Sequence, residues 1–392
     1  MHISVATSRA DTAERAVDEI AGAIGARPDF AAIYFCDRLD AQAVAAAAVR
    51  LGAGALHGGT SCRGVLAPAE LHGGARPPVG VLVIVDPDGD YGTGIAPKGN
   101  DPRGAARQAM NDALAAAGRQ AEAPDLVWLT ATPGDEEEII AGIQDVTGGA
   151  TPVVGGSAAD DDVAGRWKVI GGGRALGEAI AVSVLFPSTP LSLAFQNGYA
   201  PTAHHGVATR VEGRRLLAID GRPAAEVYAG WTGSPAWLAP TAEVRQILAE
   251  STFAPLGRPV STVSGVPFYL LAHPAALHPD GALDLFATVE EGETLTLMEG
   301  SPESLTARAG RVARQAVENG PAGRNIAGAL VVYCGGCMLA VEEQVPRIVA
   351  GVSEALGDSP FLGVFTFGEQ GLVTGGANRH GNLMVSCVVF AA

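Results

Sequence analysis

Short runs of β-branched and aromatic residues alternate along the chain with alanine-rich amphipathic stretches, and this pattern predicts an α/β fold. Strands are expected at Val79 to Val85, Ile180 to Phe186, Leu191 to Phe195, Phe268 to Ala272, Asp284 to Val289 and Leu383 to Phe390. Helix starts have local chemistry behind them. Pro133 suits a first turn, and Asp135, Glu136 and Glu137 suit the positive end of a helix running to Val146. Ser301-Pro302-Glu303 opens a helix reaching Val317, and Pro346 follows Val345 as the start of another reaching Leu356. The uncharged stretch from Ala179 to Thr209 is interrupted by Pro187, Pro190, Gln196, Asn197 and Pro201, so it reads as two buried strands and not as a membrane span.

A unit recurs within this pattern. Strand-like Ala31 to Cys36 leads through a helix around Ala41 to Leu51 into Ala55-Leu56-His57-Gly58-Gly59-Thr60-Ser61. Leu126 to Thr130 leads through Asp135 to Val146 into Pro152-Val153-Val154-Gly155-Gly156-Ser157, and Ala329 to Cys334 leads through Val345 to Leu356 into Phe361-Leu362-Gly363-Val364-Phe365-Thr366. Each unit is a strand, a helix and a second strand with glycine one to three residues before a hydroxyl side chain. The intervals from Cys36 to Gly58, Thr130 to Gly155 and Cys334 to Gly363 are 22, 25 and 29 residues, enough for one helix of about three turns between adjacent strands. Turn signals at Glu212-Gly213-Arg214-Arg215 and Asp220-Gly221-Arg222-Pro223 place a boundary near Val211 to Gly233. The expected architecture is therefore two related halves of mixed β-sheet with flanking helices, residues 1–215 and 216–392, built on repeated strand-helix-strand-glycine units.

Composition narrows the function classes. The net charge of −16, with no basic face or tail, argues against nucleic-acid binding. Five cysteines, an odd number, fit a reducing compartment better than a disulfide framework, and Met1-His2-Ile3-Ser4-Val5 lacks the pattern of a signal peptide, so a cytoplasmic location without membrane attachment is expected.

Candidate chemistry gathers where the repeats end. Small residues there let a backbone approach a ligand closely, which makes Gly58, Thr60, Gly155, Gly156, Ser157, Gly363 and Thr366 candidate ligand contacts. Asp160 joins them because ligands of α/β sheets bind just past strand ends, whereas the run Asp160-Asp161-Asp162 lacks the spacing of a calcium loop and reads as a solvated acidic loop. Cys334-Gly335-Gly336-Cys337 has the spacing of a redox pair, a ligand-lining pair or a buried structural pair, while a four-cysteine zinc site fails for want of a second pair. Glu369 sits at an apolar strand terminus and needs a donor or a cationic ligand, with Arg347 and Arg379 as structural alternatives. If the two strands of the last unit are parallel neighbours, Cys334, Cys337 and Glu369 converge at one sheet edge. Phosphate-loop, nucleophile-elbow and dinucleotide motifs are incomplete in Gly59 to Arg63, Gly92-Thr93-Gly94 and Gly171-Gly172-Gly173, and no metal set is expected.

The runs Val153 to Ala158, Asp220 to Ala224, Tyr333 to Cys337 and Gly363 to Glu369, with His380-Gly381-Asn382, resemble the FIST family over about Asp29 to Cys387. The first repeat departs from the family's Gly-Cys-Ser/Thr pattern, reading Gly58-Gly59-Thr60-Ser61-Cys62-Arg63-Gly64. The resemblance implies an amino-terminal and a carboxy-terminal sensory portion, an amino-acid-like ligand or haem that senses nitric oxide, and a signalling partner such as a histidine kinase or cyclase. If haem is the cofactor, His204, His205 and His380 are the candidate ligands, with His57 as a rival. The expected function is a non-enzymatic small-molecule sensor; a cysteine-dependent hydrolase or thiol-redox enzyme and a ligand-free interaction protein are the alternatives.

Overall fold

Three equivalent sheets follow one another along the chain. A computed structural model describes residues 1–25, 27–68, 76–238, 243–263 and 265–392. The first unit comprises β1 (His2–Ser8), α1 (Ala13–Ile24), β2 (Phe30–Phe35), α2 (Ala41–Ala48), β3 (Ala55–Thr60), β4 (Val65–Leu66) and β5 (Val79–Val85). Strand β5 lies antiparallel between β1 and β2, and β2 runs parallel to β3. The second comprises β6 (Asp90–Pro97), α3 (Pro102–Ala116), β7 (Leu126–Ala131), α4 (Glu136–Thr147), β8 (Val153–Ser157), β9 (Val169–Gly171), β10 (Arg174–Leu176) and β11 (Ala179–Phe186). Here β11 lies antiparallel between β6 and β7, and β7 runs parallel to β8.

The third unit opens with β12 (Leu191–Gln196) and is then interrupted by a fourth sheet. That insertion contains β13 (Ala200–Glu212), β14 (Arg215–Ile219), β15 (Arg222–Pro223), α5 (Ala224–Trp231), β16 (Arg245–Gln246), α6 (Leu248–Ser251), β17 (Leu256–Val263), β18 (Val266–Ala272), β19 (Pro274–Leu277), β20 (Leu283–Leu285) and β21 (Thr294–Glu299). The unit resumes with α7 (Pro302–Glu318), β22 (Ile326–Cys334), α8 (Gly335–Ala340), α9 (Val345–Ala355), β23 (Phe361–Thr366), β24 (Glu369–Val373), β25 (Ala377–Gly381) and β26 (Val385–Ala391). Strand β26 lies antiparallel between β12 and β22, and β22 runs parallel to β23. The division expected near residue 215 thus leaves two copies of the unit before it and most of the third after it.

The units are locked together by a cyclic exchange of edge strands. After its glycine-hydroxyl turn each chain segment leaves its own sheet: β4 pairs with β23, β9 with β3, and β24 with β8. The edges of all three sheets at this side are thereby paired, which removes an otherwise exposed row of backbone donors.

Burial explains why the strands read as continuous apolar runs. Phe30, Tyr34, Trp128, Leu330, Val388 and Phe390 belong to one core where the inner sheet faces meet. The outer faces are covered by α1 and α2, by α3 and α4, and by α7 and α9, each with its own apolar cluster. Ser301 caps α7 in a reciprocal capping box with Ser304, and Asp40 and Asp101 accept the amides of Ala43 and Gly104 at the starts of α2 and α3.

The interior also holds a satisfied polar network. The Trp128 indole donates to the Tyr34 hydroxyl at 2.8 Å, which meets Thr130 Oγ1 at 2.9 Å. His57 is hydrogen-bonded to Thr130 through Nε2 at 2.8 Å and to Ser183 through Nδ1 at 2.9 Å. Burial holds its imidazole down to about 3, so it stays neutral. His57 is therefore a core residue between the first two sheets and is not placed to ligate haem.

Two strand expectations differ in detail. The strand predicted over Asp284 to Val289 is realised only at Leu283–Leu285, and the stretch before Thr209 holds a third strand, β13, whose residues are largely exposed. Strand β13 belongs to an antiparallel ribbon with one wet face, so its polar residues need no burial. No helix among the described residues is long and apolar enough to cross a membrane.

Candidate functional site

The three strand ends are equivalent in register. Phe35 lies opposite Thr60, Ala131 opposite Ser157, and Cys334 opposite Thr366, so the repeat hydroxyls occupy one position in three sheets. Their surroundings differ in charge and in access.

At the third end, β22 finishes at Cys334 and α8 begins at once, carrying Cys337. Above Cys334 opens a cavity of about 530 Å³. The third unit supplies Cys334, Gly336, Leu339, Phe367 and Leu383; the inserted sheet and α6 supply Leu248, Phe253, His273 and Phe286; the loop after β8 supplies Val163 and Trp167. Trp167 meets Phe367 edge to face, with ring centroids 6.3 Å apart.

Beneath this cavity lies a buried cation. Arg308 of α7 is fully buried; its Nη1 donates to the Leu383 carbonyl at 2.7 Å, while Nε and Nη2 have no hydrogen-bond partner among the described residues. Its guanidinium carbon stands 4.7 Å from the centre of the Tyr333 ring and 5.8 Å from that of Tyr199. The Tyr199 hydroxyl donates to the Thr252 carbonyl at 2.7 Å and lies 3.4 Å from Cys337 Sγ.

The thiols divide under this field. Burial alone raises the Cys337 thiol, but hydrogen bonding from Cys334, the Arg308 charge and the Tyr199 hydroxyl outweigh it and bring the thiol down to about 6. Burial, and then the neighbouring Cys337, push Cys334 well above the usual thiol range. Glu369 is also buried here. Thr366 Oγ1 donates to its Oε1 at 2.8 Å and the Met384 amide to its Oε2 at 2.9 Å, yet burial still pushes the carboxyl up to about 8. Neither Arg347 nor Arg379 pairs with it.

The second end is charge-balanced. Ser157 Oγ donates to Glu136 Oε1 at 2.7 Å, and Arg214 of the inserted sheet binds both Glu136 and Glu137. Burial opposes ionisation of Glu137, but His380 and Arg214 bring its carboxyl down to about 2, and Glu136 is lowered in the same way. His380 is itself held by Gln370 Nε2 at Nδ1, 3.2 Å away, and by the Phe286 carbonyl at Nε2, 3.2 Å away. At the first end, Thr60 Oγ1 accepts the Lys168 amide at 3.1 Å, and no hydrogen bond from it to a carboxylate is present among the described residues.

The anticipated residues therefore separate into groups. Cys334, Cys337, Thr366 and Glu369 come together at the third end, and Gly156 abuts them: a Cβ there would stand 2.3 Å from Thr366 Cγ2. Ser157 faces Glu136, and Gly155 packs against the Leu129 carbonyl. Gly58 packs on the Ile33 carbonyl, and Gly363 faces Leu66, away from the cavity. Asp160 is buried among carboxylates beyond β8. His204 stacks on Trp231 and His205 is exposed, both on β13, while His380 is locked at the second end; none of the three lines the cavity. Sequence reasoning missed Arg308, Tyr199 and His273. His273 Nε2 donates to the Leu248 carbonyl at 3.1 Å, leaving Nδ1 as the lone-pair nitrogen, and burial lowers the imidazole to about 4.

Among solved structures, cyanuric acid hydrolase from A. caulinodans is similar at 11% identity and a TM-score of 0.32, covering 99% of this chain and 98% of that one. Phosphoribosylformylglycinamidine synthase II from Thermotoga maritima follows at 9% identity and a TM-score of 0.23, covering 78% of this chain and 72% of that one. At these scores the likeness says nothing about activity. No curated protein matches the chain. The FIST N domain matches residues 30–222 and the FIST C domain residues 224–372, so the chain belongs to the FIST family.

Proposed function

We propose that the chain is a small-molecule sensor whose ligand enters the cavity above Cys334 and is no enzyme. FIST domains are signal-transduction sensor domains. The observation that carries the proposal is the buried Arg308 guanidinium at the third strand end, two of whose nitrogens have no hydrogen-bond partner among the described residues, beneath a largely apolar cavity. A buried cation with free donors is costly unless something nearby answers it, and such groups beside a cavity mark binding sites. The apolar walls suit the body of an amino-acid-like metabolite, and Asn382, His273 and Glu250 offer polar contacts for its ends.

Signalling follows from what the walls belong to. The cavity is shared between the third unit and the inserted sheet, so a ligand that prefers one arrangement of these two parts shifts their population. A cytoplasmic partner such as a histidine kinase or cyclase would read that difference. The non-enzymatic reading is supported by the placement of the thiols: Cys337, the one lowered, is fully buried, while Cys334, which meets the cavity, is raised. The depressed Cys337 favours a cysteine-dependent enzyme as the second reading.

The test is a thermal-shift screen of amino acids and related metabolites on the wild type and on Cys334→Phe, which fills the cavity floor. At least one compound should stabilise the wild type and leave the variant unmoved; equal shifts in both would place binding elsewhere. Haem addition separates the second ligand class, because a Soret band that moves with nitric oxide would select it, with His273 as the imidazole at the cavity.

A further inference from the structure

We propose a divalent-cation site formed by Asp37, Asp160 and Asp162 at the junction of the first two units. Asp37 follows the end of β2, and Asp160 and Asp162 follow the end of β8, so the loop chemistry of two different sheets meets here. One carboxylate oxygen from each residue lies within 4.8 Å of the others. The side chains are unequal in exposure: Asp160 is fully buried, the Asp37 side chain is 3% exposed, and that of Asp162 is 60% exposed.

Hydrogen bonding accounts for only part of this cluster. Arg166 donates its amide to Asp160 Oδ2 at 2.8 Å, its Nε to Asp37 Oδ2 at 2.8 Å and its Nη2 to Asp162 Oδ1 at 2.7 Å. Asp160 Oδ1 and Asp37 Oδ1 are buried and have no partner among the described residues. A buried carboxylate oxygen left without a donor is strongly disfavoured, and two of them in one cluster more so. Asp161 adds a fourth carboxylate, answered by Arg38 at 3.5 Å. The three proposed ligands against the one guanidinium group of Arg166 leave an excess of two negative charges, which one divalent ion neutralises. The donor set is oxygen alone, which selects Ca²⁺, Mg²⁺ or Mn²⁺ over thiolate- or imidazole-seeking metals. The sequence reading of a solvated acidic loop fits Asp162; Asp160 departs from it because β9, beyond the loop, is drawn onto the first sheet and carries the loop's start inward.

The site has a consequence for the cavity. The same loop carries Val163 and Trp167 into the cavity wall, so an ion held by Asp160 and Asp162 anchors the start of that segment.

The experiment is calorimetric titration of chelator-treated full-length protein with Ca²⁺, Mg²⁺ and Mn²⁺ separately. One of them should bind at one ion per chain and raise the melting temperature. Asp160→Asn should weaken that binding at least tenfold, and in chelator it should melt no lower than the wild type because it removes an unpartnered charge. Asp162→Asn, at the exposed position, keeps the test valid should the buried variant fold poorly, and it should also bind more weakly. No heat with any of the three ions at millimolar concentration would overturn the proposal. Binding unchanged in both variants would overturn it too, as would proton uptake near neutral pH with no response to metal, which would mean a carboxyl pair sharing a proton.

Discussion

The second and third strand ends have the same backbone, the same register and a hydroxyl donating to a buried glutamate, yet they have become different things. At the second end Arg214 reaches across from the inserted sheet to neutralise Glu136 and Glu137, and the site is closed. At the third end the cation and the carboxylate are both buried but are satisfied separately, Arg308 by a backbone carbonyl and Glu369 by a hydroxyl and an amide, and a cavity stands above them. Matched charges make a joint between the insertion and the units, whereas a buried guanidinium with two unpartnered nitrogens leaves an unmet demand beside a cavity to which a ligand has access.

The largest expected effect lies at the joint. Arg214→Met leaves Glu136 buried without its charged partner and should destabilise the protein by about 3–5 kcal/mol, whereas Arg308→Met loses one hydrogen bond and the contacts with the Tyr333 and Tyr199 rings and should cost about 1–3 kcal/mol. Denaturant melts of the two variants measure this, and equal losses would erase the distinction between the two ends.

Glu369→Gln sharpens it through pH. Because burial raises the folded carboxyl from 4.5 to about 8, its proton stabilises the fold fully below pH 4.5, and that stability is lost as pH rises toward 8. Relative to the wild type, the glutamine variant should therefore gain stability, on the order of a few kcal/mol, across this window. Cys337 acts in the opposite sense: lowered in the fold, it stabilises at high pH, and that contribution fades as pH falls through about 6. Stability curves of the wild type and Glu369→Gln that run parallel from pH 4.5 to 8 would show Glu369 to be ordinary.

Gly156→Val tests the contact between the two ends. Its side chain would drive into Thr366, so overpacking should cost about 1–3 kcal/mol and disturb the Thr366–Glu369 pair. Unaltered stability would mean that the strands can part there. The smallest effect is expected at the first end, where Thr60→Val removes a hydroxyl that accepts the Lys168 amide and donates to its carbonyl at 3.5 Å, and should cost about 1 kcal/mol.

Much of this architecture is legible in the sequence. The three repeats, the start of α7 at Ser301 and the turn at Asp220-Gly221 follow from local periodicity and capping, which the chain writes in neighbouring residues. The convergence of Cys334, Cys337 and Glu369 was legible because parallel strands must end on one edge. Arg308 was not read, although a signal existed: it falls in the stripe of Leu305, Ala309, Val312 and Ala316 that α7 buries, where an arginine is out of place. The exchange of β4, β9 and β24 between sheets was hidden because pairing partners lie far apart in sequence, and so was the placing of the inserted sheet over the third end. The haem histidines were sought by residue type, while the cavity wall was set by that insertion, which brings His273 instead.

The most direct test is an ultraviolet thiolate titration of the native protein, read at the absorbance of ionised sulfur, beside the same titration of Arg308→Met. Burial raises Cys36, Cys62, Cys334 and Cys387, so the wild type should show one thiolate among five cysteines forming near pH 6, and in the variant that thiolate should form only at clearly higher pH. A wild type with no thiolate below pH 8, or a variant that titrates as the wild type does, would contradict the hold of the Arg308 charge on Cys337 at the third strand end.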